Sequence, residues 1–258
     1  MTNQSKKDRR MSTDRDWERW GGSDPYFGVC SDEIFRAGSM SAESSAVFFA
    51  SGEVHISRIL RDIEHIAGAK FSLASVLDFG CGVGRLVIPF ARRVGRVVGV
   101  DISPSMIAEA KRNCSAAQVA GVEFVESDDG LSRIHGTFDL VHSYIVLQHI
   151  PWKRGRGILQ ALADRVAPEG VLAVQILSAC TAPGLIRWIV RLRYAFPPAN
   201  WLRNLLRCRP LFEPAMQLHV YDLSVVKSDL EQRGFVCSQV DEAFDGFCST
   251  LIYASRKA

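Results

Sequence analysis

The sequence predicts an α/β nucleotide-binding fold on a mostly parallel sheet, and three observations carry that expectation. In residues 75–103, SVLDFGCGVGRLVIPFARRVGRVVGVDIS, a short apolar strand runs into a glycine-rich turn, a helix and a second strand that ends in an acid. Residues 170–176 form a nearly uncharged run of the kind buried at the centre of a parallel sheet. Residues 235–240 and 247–254 are two strand-like runs joined by a short link containing Gly246, which makes them antiparallel neighbours.

Each element follows from local chemistry. Residues 1–16 are polar and charged with no apolar core, so they read as a disordered tail and not as a signal peptide or membrane anchor. Trp17, Trp20, Tyr26 and Phe27 open a cap segment over 17–70. They precede a helix from about 42 to 66, open to a break at Gly52, with Val54, Ile56, Ile59, Leu60 and Ile63 at helical spacing. Val76, Leu77 and Phe79 make the first strand. Gly80, Gly82 and Gly84 follow at every second position, where side chains would keep a ligand from the backbone. The next helix aims its N-terminal amides at the same place. Asp101, closing the strand over 97–100, can accept from both hydroxyls of a ribose. Ser103-Pro104 is an N-cap and N1 pair for a helix over 105–113. Residues 122–125 and 138–144 read as the third and fourth strands, and 170–176 as the fifth. Asp222 caps a last helix that Gly234 closes.

The glycine pattern decides between nucleotides. A dinucleotide loop spaces its glycines G-x-G-x-x-G, whereas this loop reads Gly80-x-Gly82-x-Gly84, two residues after Asp78. A carboxylate there repels a diphosphate but suits an ammonium or sulfonium group. The segment resembles motif I of the class I S-adenosylmethionine-dependent methyltransferases, D/E-x-G-x-G-x-G, at every fixed position. The resemblance covers the chain from about Leu73 onward. It implies a Rossmann-like, mostly parallel seven-stranded sheet with an antiparallel last strand, to which this chain adds an N-terminal helical cap and an α-helical insertion before the last helix. It also implies S-adenosylmethionine as cofactor. Asp78, Gly80, Cys81, Gly82, Gly84, Asp101 and Ile102 would hold it, with Ser143 at the exit of the fourth strand. An acid after the third strand would take the adenine amino group; Asp128 fits that place best and Asp129 competes, although either also suits a plain turn.

Methyl transfer from a sulfonium needs an aligned nucleophile and, for a hydroxyl acceptor, a base. A neutral histidine is the usual base. His149 occupies a position where related O-methyltransferases often carry a histidine; His142 leaves the fourth strand beside the expected methyl donor; His219 precedes the last helix. Each is a candidate catalytic base, and each is also readable as a packing or spacer residue. His55, His65 and His135 have no comparable setting. Tyr144, Tyr221, Trp20, Tyr26, Arg187 and Arg191 are the candidate substrate contacts. The two arginines lie in an insertion over about 180–214, which has no acid before Glu213 and reads as two short helices divided by Pro197-Pro198. The insertion is expected to cap the site, with contact to a membrane or lipid-linked substrate as a further use of its basic, apolar character.

Composition agrees with a soluble enzyme expected in the cytoplasm. The chain has 258 residues, 47% of them hydrophobic, enough for one large core. A net charge of +3 is too small to imply nucleic acid. Seven cysteines without C-x-x-C spacing suit free thiols, and Cys81 in the loop is either oxidation-sensitive or a small filler. No base-clamping run follows the fourth strand, and no metal-binding acid cluster is legible. The expected activity is methyl transfer to a hydroxyl of a small or saccharide-like metabolite. A non-catalytic cofactor-binding protein on the same fold is the alternative. A nicotinamide-linked oxidoreductase is disfavoured by the glycine spacing, Asp78 and the antiparallel terminal strands.

Overall fold

Adjacent residues of the central strands point to opposite faces of one sheet, and each face is apolar. In the computed structural model, which describes residues 3–67, 71–126, 128–244 and 246–256, β1 is Ser75–Phe79, β2 Arg96–Asp101, β3 Val122–Glu126 and β4 Phe138–Ser143. β5 is Val166–Cys180, β6 Phe235–Phe244 and β7 Phe247–Arg256. The sheet has seven strands in the order β3-β2-β1-β4-β5-β7-β6. β7 runs antiparallel to both neighbours and the other ladders are parallel, as the two terminal runs foretold. The order reverses between β1 and β4, so a crevice opens at the carboxyl ends of these strands.

Leu77, Val98, Val141 and Leu172 share a core with Ile158 and Leu162 of α6 (Trp152–Ala163) and Val226 and Leu230 of α9 (Leu223–Glu231). Their sequence neighbours Val76, Val97, Leu140 and Val171 pack on the opposite face. There they meet Phe90 of α4 (Val87–Ala91) and Ile56, Ile59 and Ile63 of α3 (Ala42–Ala67). Each of those three isoleucines is fully buried, worth roughly 1.5 to 3 kcal/mol apiece relative to exposure. Helix α3 is continuous through Gly52. That glycine serves proximity instead: a Cβ there would lie 2.3 Å from the Arg85 carbonyl oxygen.

The N-terminal segment folds over the carboxyl ends of the strands. α1 spans Asn3–Ser23, including residues expected to be a disordered tail; residues 1 and 2, and 68–70 at the expected domain boundary, lie outside the described residues. The anchors of α1 are distant in sequence, which hides them from a local reading. Glu18 accepts from the hydroxyl of Ser103 at 2.6 Å, and Asp14 from Nη1 of Arg154 at 2.6 Å. Ser103 in turn caps α5 (Pro104–Ala116), accepting from the Met106 amide. Trp20, Phe27 of α2 (Pro25–Val29), Phe35, Phe48 and Met106 close a third apolar cluster beneath.

The insertion forms two helices, α7 (Gly184–Ala195) and α8 (Pro197–Leu206), broken where proline takes the first helical turn. Asp222 caps α9 through the amides of Ser224 and Val225. Among the described residues no helix is long and apolar enough to cross a membrane.

Candidate cofactor and acceptor site

The glycine loop sits where β1 ends. Gly80, Gly82 and Gly84 have φ of +74°, +52° and +84°, a region that disfavours side chains. At Gly80 a Cβ would also fall 2.2 Å from Val146. The amides of Gly80 and Cys81 both donate to the Val100 carbonyl, at 2.7 and 3.0 Å, locking the loop onto β2. Gly82 donates to one carboxylate oxygen of Asp101 at 2.9 Å and Ser103 to the other at 2.9 Å. Burial raises the Asp101 pKa against the pull of these amides. Each oxygen keeps acceptor capacity for a ribose hydroxyl.

One cavity joins Asp78, Gly80, Cys81, Gly82, Asp101 and Ile102 to Asp128 and Asp129 on the β3 side and to Tyr144 and Arg85. Asp128 accepts from the amides of Gly130 and Ser132, and the Ser132 hydroxyl helps to hold its pKa down. Asp129 accepts from Nε of Arg154 at 2.7 Å. Arg154 therefore ties the β3 loop to Asp14 of α1, and Thr13, Asp14 and Trp17 complete the wall.

Asp78 has two different oxygens. Oδ1 lies 2.7 Å from Nδ1 of His142, which donates to it, while Oδ2 is buried with no hydrogen-bond partner among the described residues, in a residue that lines the cavity. A buried carboxylate oxygen left without a donor is costly, and an ammonium supplies what it lacks. Behind it, Nε2 of His142 and Nε2 of His55 are 3.3 Å apart. The His55 ring stacks on Tyr144 with centroids 3.8 Å apart. Burial pushes the His55 pKa down to about 2.

Residues 76–170 match the methyltransferase domain family. The trans-aconitate 2-methyltransferase of Deinococcus radiodurans is 35% identical over 105 residues, 40% of this chain and 38% of that protein. The magnesium-protoporphyrin O-methyltransferase of Synechocystis is 36% identical over 93 residues, 35% of this chain and 40% of that protein. The matches thus span about two fifths of the curated relatives' length. In structure the likeness is broader: magnesium protoporphyrin IX methyltransferase from Synechocystis with bound S-adenosylmethionine superposes with a TM-score of 0.60 at 18% identity, covering 95% of this chain and 97% of that one. The N-methyltransferase NodS from Bradyrhizobium japonicum gives 0.57 at 15% identity, covering 95% and 99%. Residues 76–170 thus match a methyltransferase domain, and the whole sheet has the fold of S-adenosylmethionine-dependent methyltransferases.

The family's cofactor fits the residues present. The positive-φ glycines keep the loop free of side chains, Asp101 offers a ribose acceptor and Asp78 a partnerless oxygen for an ammonium. Cys81 is a buried filler whose thiol pKa burial raises, and Ile102 lines the cavity. Ser143 does not: it is fully buried and donates to the Phe79 carbonyl at 3.0 Å.

The candidate bases stand off the cavity wall. His149 is buried beside it, Nδ1 donating to the Gln217 carbonyl at 2.8 Å and the ring edge-on to Trp17; burial lowers its pKa to about 4. His142 is fully buried behind Asp78. His219 bonds to Gln217 and lines no part of the cavity. Of the substrate candidates, Tyr144 faces the cavity. Tyr221 is a core residue donating to the Ile150 carbonyl, Trp20 is buried against Phe27, and Tyr26 donates to Glu109. Arg187 is exposed on α7, the Arg191 side chain lies outside the described residues, and no wall residue comes from 180–214, so the insertion does not cap this cavity. Sequence reasoning missed Arg85, Arg154 and His55. Arg85, directly after Gly84, was the findable one.

Proposed function

We propose that this chain binds S-adenosylmethionine and transfers its methyl group to an oxygen of a small molecule that enters beside Tyr144. The observation that carries the reading is Asp78, which combines a buried oxygen without a donor with the open glycine loop at the sheet's switch point. When bound, the cofactor supplies an already activated methyl carbon. The residues do the rest: Asp101 orients the ribose, Asp78 holds the ammonium, and Trp17 and Val29 exclude water from above. Transfer to oxygen is what the name of the magnesium-protoporphyrin O-methyltransferase states for that protein, and it is proposed here for this chain. A hydroxyl acceptor needs its proton removed, and none of His142, His149 and His219 lines the cavity to remove it. Calorimetric titration with S-adenosylmethionine, S-adenosylhomocysteine and NAD tests the reading. Micromolar binding of the two sulfur nucleotides alone supports it, and failure of folded protein to bind either overturns it.

A second use is carried by the α7–α8 hairpin. Leu185, Trp188 and Leu206 are 70%, 61% and 76% exposed among arginines, without an acid before Glu213. This hairpin is proposed to rest on an anionic lipid surface. Co-sedimentation with anionic but not zwitterionic vesicles supports that contact; no difference between them removes it.

A further inference from the structure

The centre of a parallel sheet is normally apolar, yet Asp78 and His142 meet there. They are register partners on β1 and β4, two residues on from Val76 and Leu140, so they share the sheet face that packs on Phe90 and α3. His142 is fully buried, and among the described residues its Nδ1 is the one hydrogen-bond donor to the Asp78 carboxylate. A third polar side chain joins them: His55 of α3, whose Nε2 lies 3.3 Å from Nε2 of His142. Both rings are held by aromatic neighbours, His55 by Tyr144 and His142 by Phe90, edge-on with centroids 5.4 Å apart. Burying three polar groups in one row costs more than packing apolar residues of the same volume, so the row calls for a task.

The row has a direction. A carboxylate only accepts, so Nδ1 of His142 carries a hydrogen. In the neutral ring that leaves Nε2 as a bare acceptor, and the hydrogen between the two rings belongs to Nε2 of His55. Burial keeps His55 itself neutral. The opposite tautomer of His142 would turn a lone pair toward the carboxylate at 2.7 Å, which repels it. His55 thus selects where the hydrogen sits on His142, and His142 engages Oδ1 of Asp78 and leaves Oδ2 without a donor.

We infer that His142 and His55 are positioning residues for the amino end of the cofactor, an inference that rests on the cofactor reading above. His142 turns the Asp78 carboxylate so that Oδ2 is the oxygen offered to the ammonium, and His55 holds His142 in the tautomer that does so. Neither ring touches the cofactor or moves a proton during methyl transfer. Both histidines thereby gain a use that needs no place on the cavity wall. The signature is selective, because the row acts on the ammonium and on no other group of the cofactor.

The test is calorimetric titration of the full chain with S-adenosylhomocysteine and with its analogue carrying hydrogen in place of the amino group. Wild type should bind the amino compound about tenfold or more tighter. His142→Leu should cut that ratio to about threefold or less with the amino-free compound bound as before, whereas a merely structural role would weaken both alike. His142→Asn keeps an N–H near the place of Nδ1, and His55→Gln keeps one near that of Nε2. Each should retain more of the ratio than the leucine variant at the same position. If the leucine variants do not fold, nitrogen spectra of isotope-labelled histidine in the wild type at about pH 8 decide, with the hydrogen expected on Nδ1 of His142 and on Nε2 of His55. No wild-type preference for the amino compound, a ratio untouched in His142→Leu, equal loss of both compounds, or a hydrogen on Nε2 of His142 overturns the inference, while binding of S-adenosylhomocysteine still supports the cofactor reading. Failure of the folded wild-type chain to bind S-adenosylhomocysteine removes both.

Discussion

At Asp78 one residue serves two partners of opposite kinds, an imidazole behind the wall and an open cavity in front. Asp78→Asn keeps the shape and removes the charge. It should weaken S-adenosylmethionine binding by about tenfold or more, the scale of a charge-assisted hydrogen bond in a dry site; calorimetry showing no loss would take the ammonium away from Asp78. Asp101→Ala is expected to cost about 1 to 2 kcal/mol of cofactor affinity, in part because the loop amide of Gly82 loses its acceptor. Unchanged affinity would take the ribose elsewhere. These two acids were legible in the sequence because motif spacing and a strand end define their places. The histidines were not. His142 and His149 have the right positions along the chain, yet β4 buries the first and the Gln217 carbonyl turns the second away, and neither fact is a property of local sequence. His55, dismissed for want of a setting, gains one only when α3 packs across the sheet onto Tyr144.

At the scale of elements, strands and caps were the most readable parts, since alternating burial and Asp222 or Ser103 act within a few residues of themselves. α1 was the least readable. Its sequence is polar, and what orders it is a set of partners drawn from α5, α6 and the β3 loop. Arg154 is the joint, since it binds Asp14 and Asp129 at once with a side chain only 12% exposed. Arg154→Met should loosen α1, seen as faster protease cleavage within residues 13–23, and should weaken S-adenosylhomocysteine binding by about tenfold. Wild-type cleavage together with wild-type affinity would show that α1 is held without the clamp. The insertion shows the opposite error of scale: its two helices were legible from Pro197-Pro198, but their distance from the cavity was not, because amphipathic pattern reports a face and not its neighbour.

For the molecule as a whole, two buried histidines tie stability to pH. His55 and His149 have pKa values of about 2 and about 4 in the folded chain against 6.5 in the reference state, so the unfolded chain takes up protons first as pH falls. Stability should hold above pH 6.5 and drop below it, by up to about 1.4 kcal/mol per pH unit for each histidine until its folded pKa is reached. Thermal melts from about pH 7.5 down to about pH 4.5 measure this, with His55→Gln expected to flatten the slope; a level melting temperature would mean that the two rings are hydrated. The strand order has a consequence for synthesis as well. β5 and β6 leave the ribosome before β7, yet β7 lies between them. Until Phe247–Arg256 emerges, β5 and β6 each present an open edge to any other chain nearby, so the nascent protein passes through an interval in which the wrong strand can take the vacant slot.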